Sequence, residues 1–190
     1  MVLMSGNARL QAEQNIMTNL AFAVDSMTRE IRTGTNYFCR SHPNTNGPGL
    51  IFADSGTAHE ALAQDAQDCL NGNDNNRDYH GLSFIEGGNS VTGNSRRILY
   101  FHDKSDSANQ TIKRKVGNSA PQQIVSSGVD ILELQFHVEG ACPLRSGTTP
   151  ACNGDYKQPT VTIYLRAADK SDPSKEYYIN TTVTQRTLDL

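Results

Sequence analysis

Residues 128–140 read GVDILELQFHVEG. Leu132, Leu134, Phe136 and Val138 alternate with Glu133, Gln135 and His137. Successive side chains of an extended backbone point to opposite faces, so this period of two marks a half-buried strand over Val129–Val138. The polar partners predict one wet face, as in an antiparallel sheet.

The same alternation recurs downstream. In Thr160–Arg166 it places Val161, Ile163 and Leu165 together, and in Tyr177–Gln185 it aligns Tyr177, Ile179, Thr181 and Val183. The three segments are expected to form one antiparallel sheet, with Leu134 and Phe136 turned toward the N-terminal helix. Upstream, Leu82–Ile85, Arg97–His102 and Thr111–Val116 are further strand candidates. Between the first two of these, GGNSVTGNS (residues 87–95) reads as a hairpin tip rich in turn formers.

The chain starts on a different period. From Ala8 to Thr33, Leu10, Met17, Val24 and Ile31 recur every seventh residue, with Ile16, Leu20, Ala23 and Met27 beside them. That is an apolar stripe at helical period, and no proline interrupts it. Asn7 is placed to cap the start and Gly34 to end it. At about 1.5 Å per residue the rod is about 39 Å long, enough for part of it to project. Glu13 breaks the stripe near its beginning, and residues 1–6 read as an expression scar. Residues 7–34 then form the amphipathic helix and residues 35–190 a globular head. Thr35–Arg77 is polar, with an apolar patch at Leu50-Ile51-Phe52 and a short helix expected over Ala58–Leu70. Helix first and strands last predict an α+β fold, a long N-terminal helix packed on an antiparallel β-sheet.

The chain has 190 residues, enough for one domain with a real core. Hydrophobic residues make up 36%, so long polar loops should surround a modest core. The net charge of −3 argues against a general nucleic-acid binder. The two basic runs, Arg96-Arg97 and Lys113-Arg114-Lys115, read as solvated faces.

Catalytic patterns are scarce. The five histidines form neither HxH nor HExxH, and there is no GxSxG elbow or phosphate loop. His102 and His137 sit in expected strands and would meet only by an accident of the fold. The chain is therefore not expected to be an enzyme, and no cofactor is implied. The NGNDNNRD run (residues 71–78) offers oxygens from Asn71, Asn73, Asp74 and Asp78, a weak calcium pattern without the EF-hand offsets. Those residue types also favour turns on their own account, and a polar turn is the plainer reading.

The four cysteines, Cys39, Cys69, Cys142 and Cys152, have no zinc spacing. An even count in loop-rich surroundings suggests two disulfides and an oxidising compartment. Three pairings are formally possible. A local staple between Cys142 and Cys152, around Pro143, Gly147 and Pro150, would leave Cys39 to Cys69. Four reduced, buried thiols in a cytosolic protein are the alternative. No window approaches the ~20 apolar residues of a membrane span.

RLQAEQNIMTNLAFAVDSMTREIRTG (residues 9–34) resembles the second, amphipathic half of a type IV pilin-like N-terminal helix, closing on Met27-Thr28-Arg29-Glu30-Ile31-Arg32. GVDILELQFHVEG, QPTVTIYLRA (residues 158–167) and YYINTTVTQRTLDL (residues 177–190) resemble strands of minor pilins of the W type and type II secretion pseudopilins of the J type. Residues 37–115 match nothing in that family. The resemblance implies a subunit anchored in the inner membrane by an apolar half-helix upstream of Asn7, then assembled with other pilin or pseudopilin subunits into a periplasmic or extracellular filament. Leu10, Ile16, Met17, Leu20, Val24 and Met27 would then supply the helix's packing face, with Leu10 and Met17 partly exposed in the isolated domain. The rival expectation is an exported binding module or adhesin that recognises a surface, DNA or an exported substrate through the unmatched middle.

Overall fold

The computed structural model describes residues 2–41, 68–69, 79–87, 97–117, 119–141 and 158–186. The elements are α1 (Val2–Thr33), β1 (Thr35–Ser41), β2 (Tyr79–Ile85), β3 (Arg97–Asp103), β4 (Thr111–Val116), β5 (Gln122–Gln123), β6 (Val129–Glu139), β7 (Thr160–Asp169) and β8 (Asp172–Thr184). The class is α+β. The strands make two antiparallel sheets, ordered β1-β2-β3-β4-β5 and β6-β7-β8.

The expected three-stranded sheet is present. Leu134 stands opposite Leu165, which stands opposite Ile179, and Phe136 opposes Ile163, which opposes Thr181. One detail of its register differs from the sequence pattern. The β6–β7 ladder slips between Ile131 and Glu133, leaving Leu132 as an extra residue. Such a bulge shifts the alternation by one position. The buried set is therefore Val129, Ile131, Leu134, Phe136 and Val138, and Leu132 leaves it.

The remaining expected strands belong to the other sheet, joined by β1 and β5, which the alternation did not reveal. β2 and β3 pair antiparallel, as a hairpin requires, and most of the expected tip lies outside the described residues. The inner face of this sheet (Tyr37, Leu82, Phe84, Ile98, Tyr100 and Ile112) joins the inner face of β6-β7-β8 and one side of α1 in a single core. Phe38, Leu99 and Phe101 form a second buried cluster.

The helix begins at Val2, so Asn7 lies inside it and is not its cap. Its buried residues are Ile16, Leu20, Ala23, Val24, Met27 and Ile31, spaced by threes and fours as one helical face requires. Among the described side chains, burial starts only at Ile16. The helix runs alongside β8. Glu13 pairs with Lys175 near one end, and Arg186 N–H donates to the Arg32 carbonyl at 2.7 Å near the other.

Gly34 follows the last helical residue, yet its backbone is not left-handed. Its lack of a side chain makes room instead. A Cβ there would stand 2.4 Å from Cδ2 of Phe84. The Gly34 carbonyl accepts hydrogen bonds from Tyr37 Oη (2.8 Å) and Gln185 Nε2 (2.8 Å), tying the helix end to β1 and to the segment after β8.

Cys39 and Cys69 form a disulfide across 30 residues of sequence. Cys69 also exchanges two backbone hydrogen bonds with Val138, at 2.8 and 3.2 Å. Cys69 thus ends in extended pairing and not in the helix expected over Ala58–Leu70, most of which lies outside the described residues. The disulfide thus ties β1 to a segment that is hydrogen-bonded to the flank of β6.

Candidate functional site

The six residues expected to form a packing face divide into two groups. Leu10 is 58% exposed and Met17 46%, whereas Ile16, Leu20, Val24 and Met27 are buried against the chain's own sheets. The division follows from helix geometry. A seven-residue repeat falls short of two full turns, so the Leu10-Met17-Val24-Ile31 line drifts around the helix. Its later members sink into the core, and its first two emerge at the core's margin. Among the six, only Leu10 and Met17 can meet a neighbour without unfolding the domain.

Phe22 is a further apolar residue of α1. It is 72% exposed and lies on the far side of α1. Its neighbours one turn away are Thr18, Asn19, Asp25 and Ser26, all polar. Asp25 is engaged with Arg29 at 2.7 Å, so Phe22 is the apolar point of an otherwise hydrophilic face.

The Met27–Arg32 motif also acquires physical roles. Met27 and Ile31 are core residues. Glu30 receives Arg114 in a fork, Nε to Oε2 at 3.0 Å and Nη2 to Oε1 at 2.8 Å. Tyr100 Oη donates to the same Oε2 at 2.6 Å. Burial pushes the Tyr100 phenol far above its usual range, and Glu30 adds to the effect. Burial alone would lower Arg114, but the hydrogen bonds and charge of Glu30 outweigh it and raise the guanidinium further. Sequence reasoning missed this cluster, because 84 residues separate Glu30 from Arg114.

Arg96 lies outside the described residues. The other members of the basic runs do not form a solvated face, because strand alternation sends them to different faces. Lys113 pairs with Asp103 and Arg114 with Glu30, and Lys115 is buried. Arg97 is 2% exposed and donates to Ser83 Oγ at 2.8 Å and to the Asn36 carbonyl at 3.3 Å. Desolvation lowers its pKa to about 10. Asn36 adopts a left-handed backbone (φ 55°), and Arg97 pins it where β1 begins.

His102 does not meet His137. It lies edge-on to His80 with 6.3 Å between ring centroids. His80 Nδ1 is 2.9 Å from the Leu134 carbonyl, and His102 Nε2 is 2.7 Å from that of Ile131. The two imidazoles thus grip β6 on either side of its bulge and fasten the second sheet to β2 and β3.

Asn71, Asn73, Asp74 and Asp78, with Cys142 and Cys152, lie outside the described residues. Among the described residues, no three His, Cys, Asp or Glu side chains gather as a metal set. No described helix is long and apolar enough to cross a membrane. Comparison with protein-family models, curated proteins and solved structures gives no match to this chain.

Proposed function

We propose that this chain is the head domain of a pilin-like filament subunit, a minor pilin or pseudopilin, with an assembly role and no catalytic one. The carrying observation is the unequal packing of α1. One face of it, Ile16, Leu20, Ala23, Val24, Met27 and Ile31, is buried, while Leu10, Met17 and Phe22 stand exposed. A helix that covers its own sheets with one face and offers apolar side chains outside that face suits lateral packing against further helices. Fully burying one such side chain is worth about 1.5–3 kcal/mol, so two or three give a modest drive that many subunits would multiply.

On this reading the helix continues upstream of Asn7 into about 20 apolar residues that hold the subunit in the inner membrane before assembly. The partners are other pilin or pseudopilin subunits, and the places of action are the periplasm and the cell surface. The test reads the native coding sequence upstream and places Leu10→Glu and Met17→Glu in the full-length protein. Loss of filaments with an unchanged melting curve for the domain is the expected result. Filaments that persist in the double variant, or a native chain led by an ordinary cleaved signal peptide, would end the reading.

A further inference from the structure

The outer face of the β6-β7-β8 sheet, turned away from the core and from α1, has its own chemistry. Register places Tyr164 directly opposite Gln135 and Asn180, and Arg166 opposite Glu133 and Tyr178. These six side chains line one open, shallow depression. Tyr164 is 41% exposed and Tyr178 71%. The tyrosines lie on a diagonal of the ladder, a separation of about 7–8 Å, so each offers ring surface to a ligand lying across the strands.

The polar groups between the rings supply donors and acceptors. No hydrogen bond engages the Asn180 amide or the Tyr164 hydroxyl among the described residues. The Gln135 amide donates to Glu133 Oε1 at 2.6 Å, which leaves its own carbonyl oxygen as an acceptor. The one cation is already neutralised. Arg166 Nε lies 3.3 Å from Glu133 and Nη1 3.5 Å from Glu176, whose Oε2 also accepts from Tyr178 Oη at 2.5 Å. One guanidinium against two carboxylates leaves the face slightly negative, which disfavours an acidic ligand. A peptide adds to a sheet as a strand at an edge, here β6 or β8, and not on its face. The face also lacks exposed aliphatic side chains to form the dry centre of a protein interface.

We infer that this face binds a neutral oligosaccharide. A sugar ring presents a C–H face that stacks on phenol rings and a rim of hydroxyls that both donate and accept. Tyrosine supplies rigid amphipathic area at low entropic cost, while Asn180, Gln135 and Glu133 match the rim. The site shares no residue with Leu10, Met17 or Phe22, so it stands or falls independently of the filament reading.

The test is titration of the folded chain with cellotetraose, chitotetraose and mannotetraose, each to about 10 mM, followed by amide NMR shifts. Polygalacturonate is the acidic comparison. The expected result is saturable shifts clustered at residues 133–135, 164–166 and 178–180 with at least one neutral sugar. Tyr164→Ala and Tyr178→Ala should each weaken binding about tenfold or more, and Tyr178→Phe should keep most of it because the ring remains. Asn180→Ala serves as a further variant should a tyrosine change disturb the spectrum. Absence of shifts with all three neutral sugars, shifts confined elsewhere, unaltered binding in the double tyrosine variant, or a response to polygalacturonate alone would overturn the proposal.

Discussion

Glu30 in the closing turns of α1 and Arg114 in the middle of β4 meet in a two-pronged ion pair with both prongs at 3.0 Å or less. Each side chain is about a third exposed, 32% and 29%. The pair is thus screened less than a surface contact and desolvated less than a buried one. Glu30→Ala also strips the buried Tyr100 hydroxyl of its acceptor. It should cost about 2 kcal/mol, within the range for charge-assisted hydrogen bonds. Urea denaturation of a Glu30→Ala, Arg114→Ala double-mutant cycle isolates the pair. A coupling energy indistinguishable from zero would show that the fork adds nothing to stability.

The Cys39–Cys69 bond should be oxidised in the native protein. Intact mass and alkylation with and without reductant read this directly. Closing a loop across 30 residues constrains the unfolded chain, so Cys39→Ala with Cys69→Ala should cost about 2–4 kcal/mol. Free thiols at both positions in the native protein would remove the argument for an oxidising compartment.

The bulge in β6 makes a paired prediction. Phe136 lies in the core, and Phe136→Ala should cost about 3–5 kcal/mol. Leu132 carries the same apolar alternation in the sequence but sits half-buried at the bulge, so Leu132→Ala should cost much less, about 1 kcal/mol. Equal losses in equilibrium denaturation would mean that the register does not slip there.

Asp103 gives a pH signature. Burial opposes its ionisation, but Lys113 and the hydrogen bonds from Ser105 outweigh that and hold the carboxyl below its ordinary value. A depressed carboxylate stabilises the fold above its unfolded pKa, about 3.9, and the contribution fades as pH falls through the lower folded value. Asp103→Asn should therefore lower stability by about 1 kcal/mol at pH 7, and by progressively less as pH falls through the folded value of the carboxyl. A wild-type-to-variant difference that is constant with pH would contradict the ion pair as its source.

Much of the fold was legible in the chain. Period two marked β2, β3, β4, β6, β7 and β8, and period 3.6 marked α1, because side-chain direction follows backbone geometry wherever one face is buried. β1 was hidden because Tyr37-Phe38-Cys39 is an apolar run without alternation, with Phe38 buried in one cluster and its neighbours in another. β5 has two exposed glutamines and so carries no burial signal.

The sequence by itself determined what depends on near neighbours: the helical stripe, the alternating strands and a minimum set of core residues. Tertiary structure alone decided the rest. The division into two sheets, the slip at Leu132, the Glu30–Arg114 fork and the His80–His102 grip on β6 all join residues far apart in the chain. Pairing partners there are chosen by the closure of a shared core, and no local periodicity encodes that choice. The same holds for α1. Local pattern placed Leu10, Met17, Val24 and Ile31 on one line, but only the packed sheets decided that the last two are buried and the first two are left exposed.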